Sequence, residues 1–187
     1  MTKILSTTWL TSRLAGFVSV VLWALTVPLA SMAADALPNK DESKALLQRF
    51  VRCWETGDAK TFASLLHPEL SFGYPGGRMG RTELIKLFSQ YQSEKKDLKV
   101  YFGDVFISDG KKHCFNYQFA ATDRKSGKRF AVGTGVMCEL SGGLIIGFRE
   151  YWDTRVAEAQ KSGELPLDEG IVTPWPGSVW LRKETIN

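Results

Sequence analysis

The period of the apolar residues changes once along this chain, near Asp97, and that change constrains the fold more than any single motif. Before it, Leu46, Leu47, Phe50, Val51 and Trp54 recur at helical spacing, and Leu84, Ile85, Leu87, Phe88 and Tyr91 do so again. After it the period is two. Strands are expected at 98–107, 112–121, 130–140 and 144–152, with Asp109-Gly110 and Gly142-Gly143 supplying the first and last turns. Helices followed by a meander of antiparallel strands define an α+β domain, with the helices against one face of the sheet.

Local signals fill in the first half. Gly57 is placed to end a helix over 43–56 in the left-handed conformation, and Asp58 to cap a second over 59–66 that His67-Pro68 stops. A short strand at 70–74 runs into the loop Pro75-Gly76-Gly77-Arg78-Met79-Gly80, and Thr82 is placed to cap a third helix. That loop lacks the spacing and lysine of a phosphate loop, so it reads as a turn. Past Asp153, a short helical piece precedes an extended tail whose Trp175 and Trp180 are expected to lie across the domain surface.

Residues 1–33 read as an export signal. Lys3 and Arg13 give a positive start, residues 14–29 are apolar, and Ser31 and Ala33 fit a small-x-small cleavage site, so the cut is expected after Ala33. The apolar run is at the short edge of the roughly 17 residues that a bilayer span needs. The expected organisation is a signal peptide over 1–33, a loose leader over 34–42, one domain over 43–154, and an extension over 155–187 that packs on it. The mature protein is then periplasmic or secreted, with no stable membrane association.

Removing Lys3 and Arg13 takes the formal charge from +4 to +2. No basic stripe interleaved with aromatics appears, so nucleic acid is not an expected partner. Three cysteines leave at least one unpaired. None has zinc-site or Cys-x-x-Cys spacing, and neither a metal nor a cofactor is expected. Cys53 falls among apolar helix residues and reads as core. A three-residue hairpin loop, Lys125-Ser126-Gly127, would set Cys114 opposite Cys138. A cross-strand disulfide and two small buried thiols both fit that register.

The same register puts Phe115, Tyr117 and Phe119 on one face, opposite Met137, Gly135 and Gly133, where missing side chains leave room. On the last strand Phe148, Glu150 and Trp152 share a face. A carboxylate between two large aromatics is costly to bury unless the face borders a cavity or supplies a partner. These residues outline a pocket lined by Trp54, Tyr117, Phe119, Phe148 and Trp152 around Glu150, although Phe115 and Phe119 also read as core. Burial would raise the Glu150 pKa into the range useful for proton transfer, which makes it the candidate acid/base. Tyr74, beside the glycine loop, is its first candidate hydroxyl partner and Tyr117 the second. His67 and His113 are expected to face solvent, and Asp153 to cap the helix that follows it. Val132 and Val136, on the outward face, would serve a homodimer.

Four stretches together carry a resemblance: Phe50-Val51-Arg52-Cys53-Trp54-Glu55-Thr56-Gly57-Asp58, Leu65-Leu66-His67-Pro68-Glu69-Leu70, the helix over 80–88, and Phe148-Arg149-Glu150-Tyr151-Trp152-Asp153. Their order over 43–154 resembles the SnoaL-like branch of the nuclear transport factor 2-like superfamily. The resemblance implies a cone-shaped roll, a bent antiparallel sheet wrapped around N-terminal helices and enclosing a pocket, with frequent dimerisation through the sheet. Members include polyketide cyclases, ketosteroid isomerases, dehydratases and epoxide hydrolases. The ketosteroid isomerase base, tyrosine and acid-donor positions fall on Tyr74, Phe50 and Gly135, so that constellation does not carry over. The expected function is an exported small-molecule pocket protein that takes a small apolar or aromatic ligand. Isomerase, cyclase or dehydratase chemistry on a carbonyl or aromatic compound would run through Glu150 and Tyr74. The alternative is a non-catalytic ligand-binding or protein-interaction module on the same cone.

Overall fold

The structure, a computed structural model, describes residues 39–171. The expected signal peptide, the first part of the leader, and Trp175 and Trp180 lie outside the described residues. The first helix, α1 (Lys40–Thr56), begins three residues before the expected start because Asn39 and Glu42 cap it reciprocally. Asn39 Oδ1 accepts from the Asp41 and Glu42 N–H groups at 2.8 and 3.1 Å, and the Glu42 carboxylate accepts from the Asn39 N–H at 3.3 Å. Gly57 ends α1 at φ +72°, donating to the Cys53 carbonyl at 2.8 Å. Asp58 then caps α2 (Ala59–Ser64), accepting from the Thr61 N–H at 2.9 Å.

Six residues do not hold a helix by themselves in water. Fully buried Phe62 anchors α2, stacking on Phe50 of α1 at 5.1 Å and on Phe88 of α3 (Arg81–Glu94) at 4.2 Å. α3 starts at Gly80 rather than Thr82, since the Glu83 carboxylate takes the Gly80 N–H at 2.8 Å. Between α2 and α3 run β1 (Leu66–Tyr74) and β2 (Gly77–Met79), paired as a hairpin across the glycine loop. β1 begins at Leu66, so His67-Pro68 both stops the helix and opens the strand, at a register irregularity that accommodates the proline.

The remaining strands are β3 (Lys95–Ser108), β4 (Lys112–Asp123), β5 (Arg129–Ser141) and β6 (Leu144–Tyr151). They form one six-stranded sheet in the order β2-β1-β6-β5-β4-β3, antiparallel except where β1 runs parallel to β6. On β3, residues 103–105 bulge opposite Asn116, which bends the strand around the helices. Gly103 is required there: a Cβ would lie 2.2 Å from Asn116 Oδ1. The inner face of the sheet and the helices share one core that includes Leu47, Phe50, Phe88, Phe115, Phe148 and Ile145.

The β4–β5 register differs from expectation by one residue. Asp123 donates its N–H to the Lys128 carbonyl at 2.9 Å, and its side chain accepts from Ser126 N–H at 2.8 Å. The connection is therefore four residues, 124–127, with Gly127 at φ +70°. A shift of one residue turns every side chain to the other face. Tyr117 consequently faces Thr134, Phe115 faces Val136 and Phe119 faces Val132, while Gly133, Gly135 and Met137 point outward. Two expectations fall with that register. Val132 and Val136 are buried in the core, so they cannot form a dimer face. Cys114 sits opposite Met137 and Cys138 opposite His113, and all three cysteines are free thiols. A third expectation fails on β4 itself: His113 shares the inward face with Phe115 and Tyr117, is only 1% exposed, and stacks on Phe106 at 5.7 Å.

Beyond β6 the chain forms α4 (Val156–Ser162). Its Val156 and Ala159 join Leu98, Ala121, Phe130, Val132 and Leu165 in a second apolar cluster. β6 reaches only as far as Gly135 of β5, and Gln160 satisfies the exposed edge beyond: its amide accepts from the Ala131 N–H at 2.8 Å and donates to the Ala131 carbonyl at 3.1 Å. Residues 163–171 then bind outward-facing side chains. Gln118 donates to the Asp168 carbonyl at 2.8 Å and accepts from the Gly170 N–H at 2.7 Å, while the Glu169 carboxylate takes the Arg129 guanidinium and the Tyr101 hydroxyl. No helix among the described residues is long and apolar enough to cross a membrane.

Candidate active site

Strand alternation on β6 turns Phe148 and Glu150 inward, toward the odd-numbered residues of β4, and Trp152, just past the strand end, packs on the second apolar cluster. Glu150 arrives next to Tyr117, whose hydroxyl donates to Glu150 Oε1. The pair sits where the two apolar clusters meet. Phe119 packs against both, Trp54 against the first, and Tyr91 and Trp152 against the second. Trp54, Tyr91 and Phe119 form a closed triangle of edge-on rings, with centroids 5.7, 6.2 and 5.4 Å apart. Trp54, Tyr91, Phe119, Glu150 and Trp152 are each half-buried rather than fully enclosed.

Withdrawal from water dominates the electrostatics. Glu150 retains some exposed area, but protein packed around its carboxyl raises its pKa from 4.5 to about 7, and the Tyr117 hydrogen bond only partly opposes that rise. Tyr117 is pushed well above 10, first by burial and then by the Glu150 charge. The Tyr91 hydroxyl is raised first by burial and then by the Glu150 charge. Near pH 7 the site holds one carboxyl poised between its two protonation states and two hydroxyls that stay protonated donors. Such a set can take a proton from carbon and supply hydrogen bonds to an oxygen that gains charge.

Of the residues singled out from sequence, Glu150 and Tyr117 come into direct contact, and Trp54, Phe119 and Trp152 surround the seam. Phe148 is 2% exposed and wedged between Phe50 at 4.9 Å and Phe72 at 5.5 Å, as a core ring. Tyr74 makes no hydrogen bond with Glu150. Its ring lies over the turn, where a Cβ on Gly76 would be 2.7 Å from Tyr74 Cε2, and it borders a different concavity. Tyr91 is the residue that periodicity concealed, because its place in the helical stripe of α3 matches that of any core aromatic. His67 Nδ1 accepts from the Glu69 N–H at 3.1 Å in a local turn, and Asp153 accepts from the Arg155 N–H at 2.9 Å as α4 begins.

A groove of about 750 Å³ lies on the opposite face of the sheet. It does not include Glu150. Volume alone would favour the groove as the reactive centre, but the desolvated carboxyl and its hydroxyl donors are what proton transfer requires, and they lie inside.

A bent sheet backed by N-terminal helices, with polar groups set among inner-face aromatics, defines the ketosteroid isomerase-like class of α+β cones. Three solved structures share it. An epoxide hydrolase of the LEH-like type from M. tuberculosis aligns with a TM-score of 0.59 and 18% identity, over 67% of this chain and 93% of its own. A protein with a ketosteroid isomerase-like fold from Catenulispora acidiphila, in complex with trimethylamine, aligns at 0.57 and 13%, over 63% and 92%. IdmH from Streptomyces antibioticus, a proposed polyketide cyclase, aligns at 0.55 and 15%, over 63% and 96%. Within this class the SnoaL-like domain family matches residues 47–148, more than half of the chain, and the protein belongs to that family. A search of curated proteins finds no match.

Proposed function

We propose that this SnoaL-like protein is an acid/base catalyst acting on a small carbonyl or aromatic compound, an isomerase, cyclase or dehydratase with Glu150 as the proton-transfer group. The observation that carries this reading is the desolvated Glu150 carboxyl, with a pKa near 7, hydrogen-bonded by Tyr117. Glu150 takes the proton alpha to a carbonyl, and the substrate oxygen accepts from Tyr117 or Tyr91 as charge develops on it. Trp54, Phe119 and Trp152 provide flat apolar walls that suit a planar substrate. The neighbouring folds include an epoxide hydrolase and a proposed polyketide cyclase, both consistent with a pocket that serves small molecules.

Deuterium exchange alpha to the carbonyl of cyclic and aryl ketones, followed by NMR in D₂O, tests the proposal. Glu150→Gln is expected to slow exchange by about 10²-fold or more. Exchange that survives the substitution undiminished overturns the assignment of the base. If no ketone exchanges, and native mass spectrometry finds no retained small molecule, the cone serves as a non-catalytic module. Export is also proposed, on the charged start, apolar run and small-residue site over residues 1–33; a mature N-terminus at Ala34 in cell fractions is the expected result.

A further inference from the structure

We propose that the outer groove is a second binding site, made for an amphipathic carboxylate, with its anionic head between Arg78 and Arg149 and its apolar chain along Met137 and Cys114, leaving the groove over Ile107 at the next position of the same row. One register row crosses all six strands. Arg78 pairs with Gly73, Gly73 with Arg149, Arg149 with Met137, Met137 with Cys114, and Cys114 with Ile107. All six positions share the outward face. At about 4.8 Å per strand step, the three steps from Arg149 to Ile107 run about 14 Å.

The row is chemically graded. Its two cations stand at the β2–β1–β6 end, on either side of Gly73. A Cβ there would lie 3.3 Å from Arg149 Cγ, so the arginine stem crosses the glycine. The other end is apolar and wet: Met137 is 53% and Ile107 65% exposed. Neither Arg78 nor Arg149 has an ion pair among the described residues, and the same holds for Lys112 in the neighbouring row. Glu139, the carboxylate of that row, is engaged by Lys111 at 2.9 Å and leaves the arginines uncompensated. Arg149 rests instead on the Tyr151 ring, 5.4 Å from its centroid. The groove volume of about 750 Å³ falls in the small-molecule range of roughly 300–1,000 Å³. Residues 168–170 occupy the same face at Gln118, so the site is closed on that side.

Cys114 lies in the floor and reports occupancy. Cys53 and Cys138 are 3% and 4% exposed, so they do not compete for a thiol reagent in the folded protein. The experiment follows N-ethylmaleimide alkylation of Cys114 with and without decanoate, at concentrations below its micelle formation. Decanoate is expected to slow alkylation at least tenfold at saturation, and decanol, of equal chain length but neutral, to leave the rate unchanged. The double variant Arg78→Ala/Arg149→Ala should lose the protection while keeping its circular dichroism spectrum, since both side chains are exposed. Glu150→Gln should keep the protection, which separates this site from the interior one. An unchanged rate with decanoate, equal protection by decanol, equal protection of the double variant, or loss of protection in Glu150→Gln would each overturn the proposal.

Discussion

Glu150 holds its proton more tightly in the folded chain than in the unfolded one, and this sets the sign of its contribution to stability. With a pKa raised from 4.5 to about 7, the contribution is fully present below about pH 4.5 and is lost as pH rises through 7. The full effect is on the order of 3 kcal/mol, reduced because part of the residue meets solvent. Glu150→Gln keeps an acceptor for Tyr117 and carries no charge. It is expected to match the parent near pH 4 and to exceed it by about 2 kcal/mol at pH 8, in urea denaturation. His113 behaves in the opposite sense. Burial lowers its pKa below the ordinary 6.5, and both ring nitrogens are buried without partners. The unfolded chain takes up a proton there that the folded chain refuses, so stability falls as pH drops from about 6.5 toward the lowered value. His113→Leu removes two unsatisfied groups while preserving an apolar contact with Phe106, and should stabilise the protein by about 1–3 kcal/mol at pH 5. A loss of stability at pH 5 would mean that the ring packing outweighs the unpaired nitrogens.

At the scale of elements, α4 and residues 163–171 replace a missing part of the sheet. β6 is too short to cover the first residues of β5, and the Gln160 amide supplies the donor and acceptor that a longer strand would have given. The segment that follows is pinned by Glu169, whose carboxylate is held below the usual range chiefly by the Arg129 guanidinium. Both partners are about one-fifth exposed, so the pair is screened less than a surface ion pair. Glu169→Gln is expected to cost about 1–2 kcal/mol at pH 7. Because a lowered carboxylate pKa stabilises only above the unfolded value, that difference should vanish as pH falls through the folded pKa. Thermal unfolding at pH 7 and pH 3 measures both parts, and equal losses at the two pH values would exclude the ion pair as the cause.

For the whole molecule, the cysteines give a readout of how completely the cone closes. Burial raises the thiol pKa of Cys53 and Cys138, while Cys114 is partly exposed on the outer face. Ellman's reagent should titrate one thiol per folded chain and three per unfolded chain, and reductant should leave the melting temperature unchanged. The change of period at Asp97, the caps Gly57 and Asp58, and the turn pairs Asp109-Gly110 and Gly142-Gly143 are local signals, each set by the backbone chemistry of a few neighbouring residues. They were legible in the chain and gave the helices, the strands and the α+β class. Glu150 was legible for the same reason, since strand alternation alone places it between Phe148 and Trp152. Register was not. It turned on whether Asp123 would extend one loop by a single residue, and that residue moved Val132 and Val136 inward and parted Cys114 from Cys138. Nor could spacing reveal that Tyr117, rather than Tyr74, meets the carboxylate, that Tyr91 packs edge-on to Trp54 and Phe119, or that His113 is buried. Local propensity fixes the kind of element a segment forms, whereas contacts between segments remote in the chain depend on strand registers and packing, and these are settled only when the sheet closes over its helices.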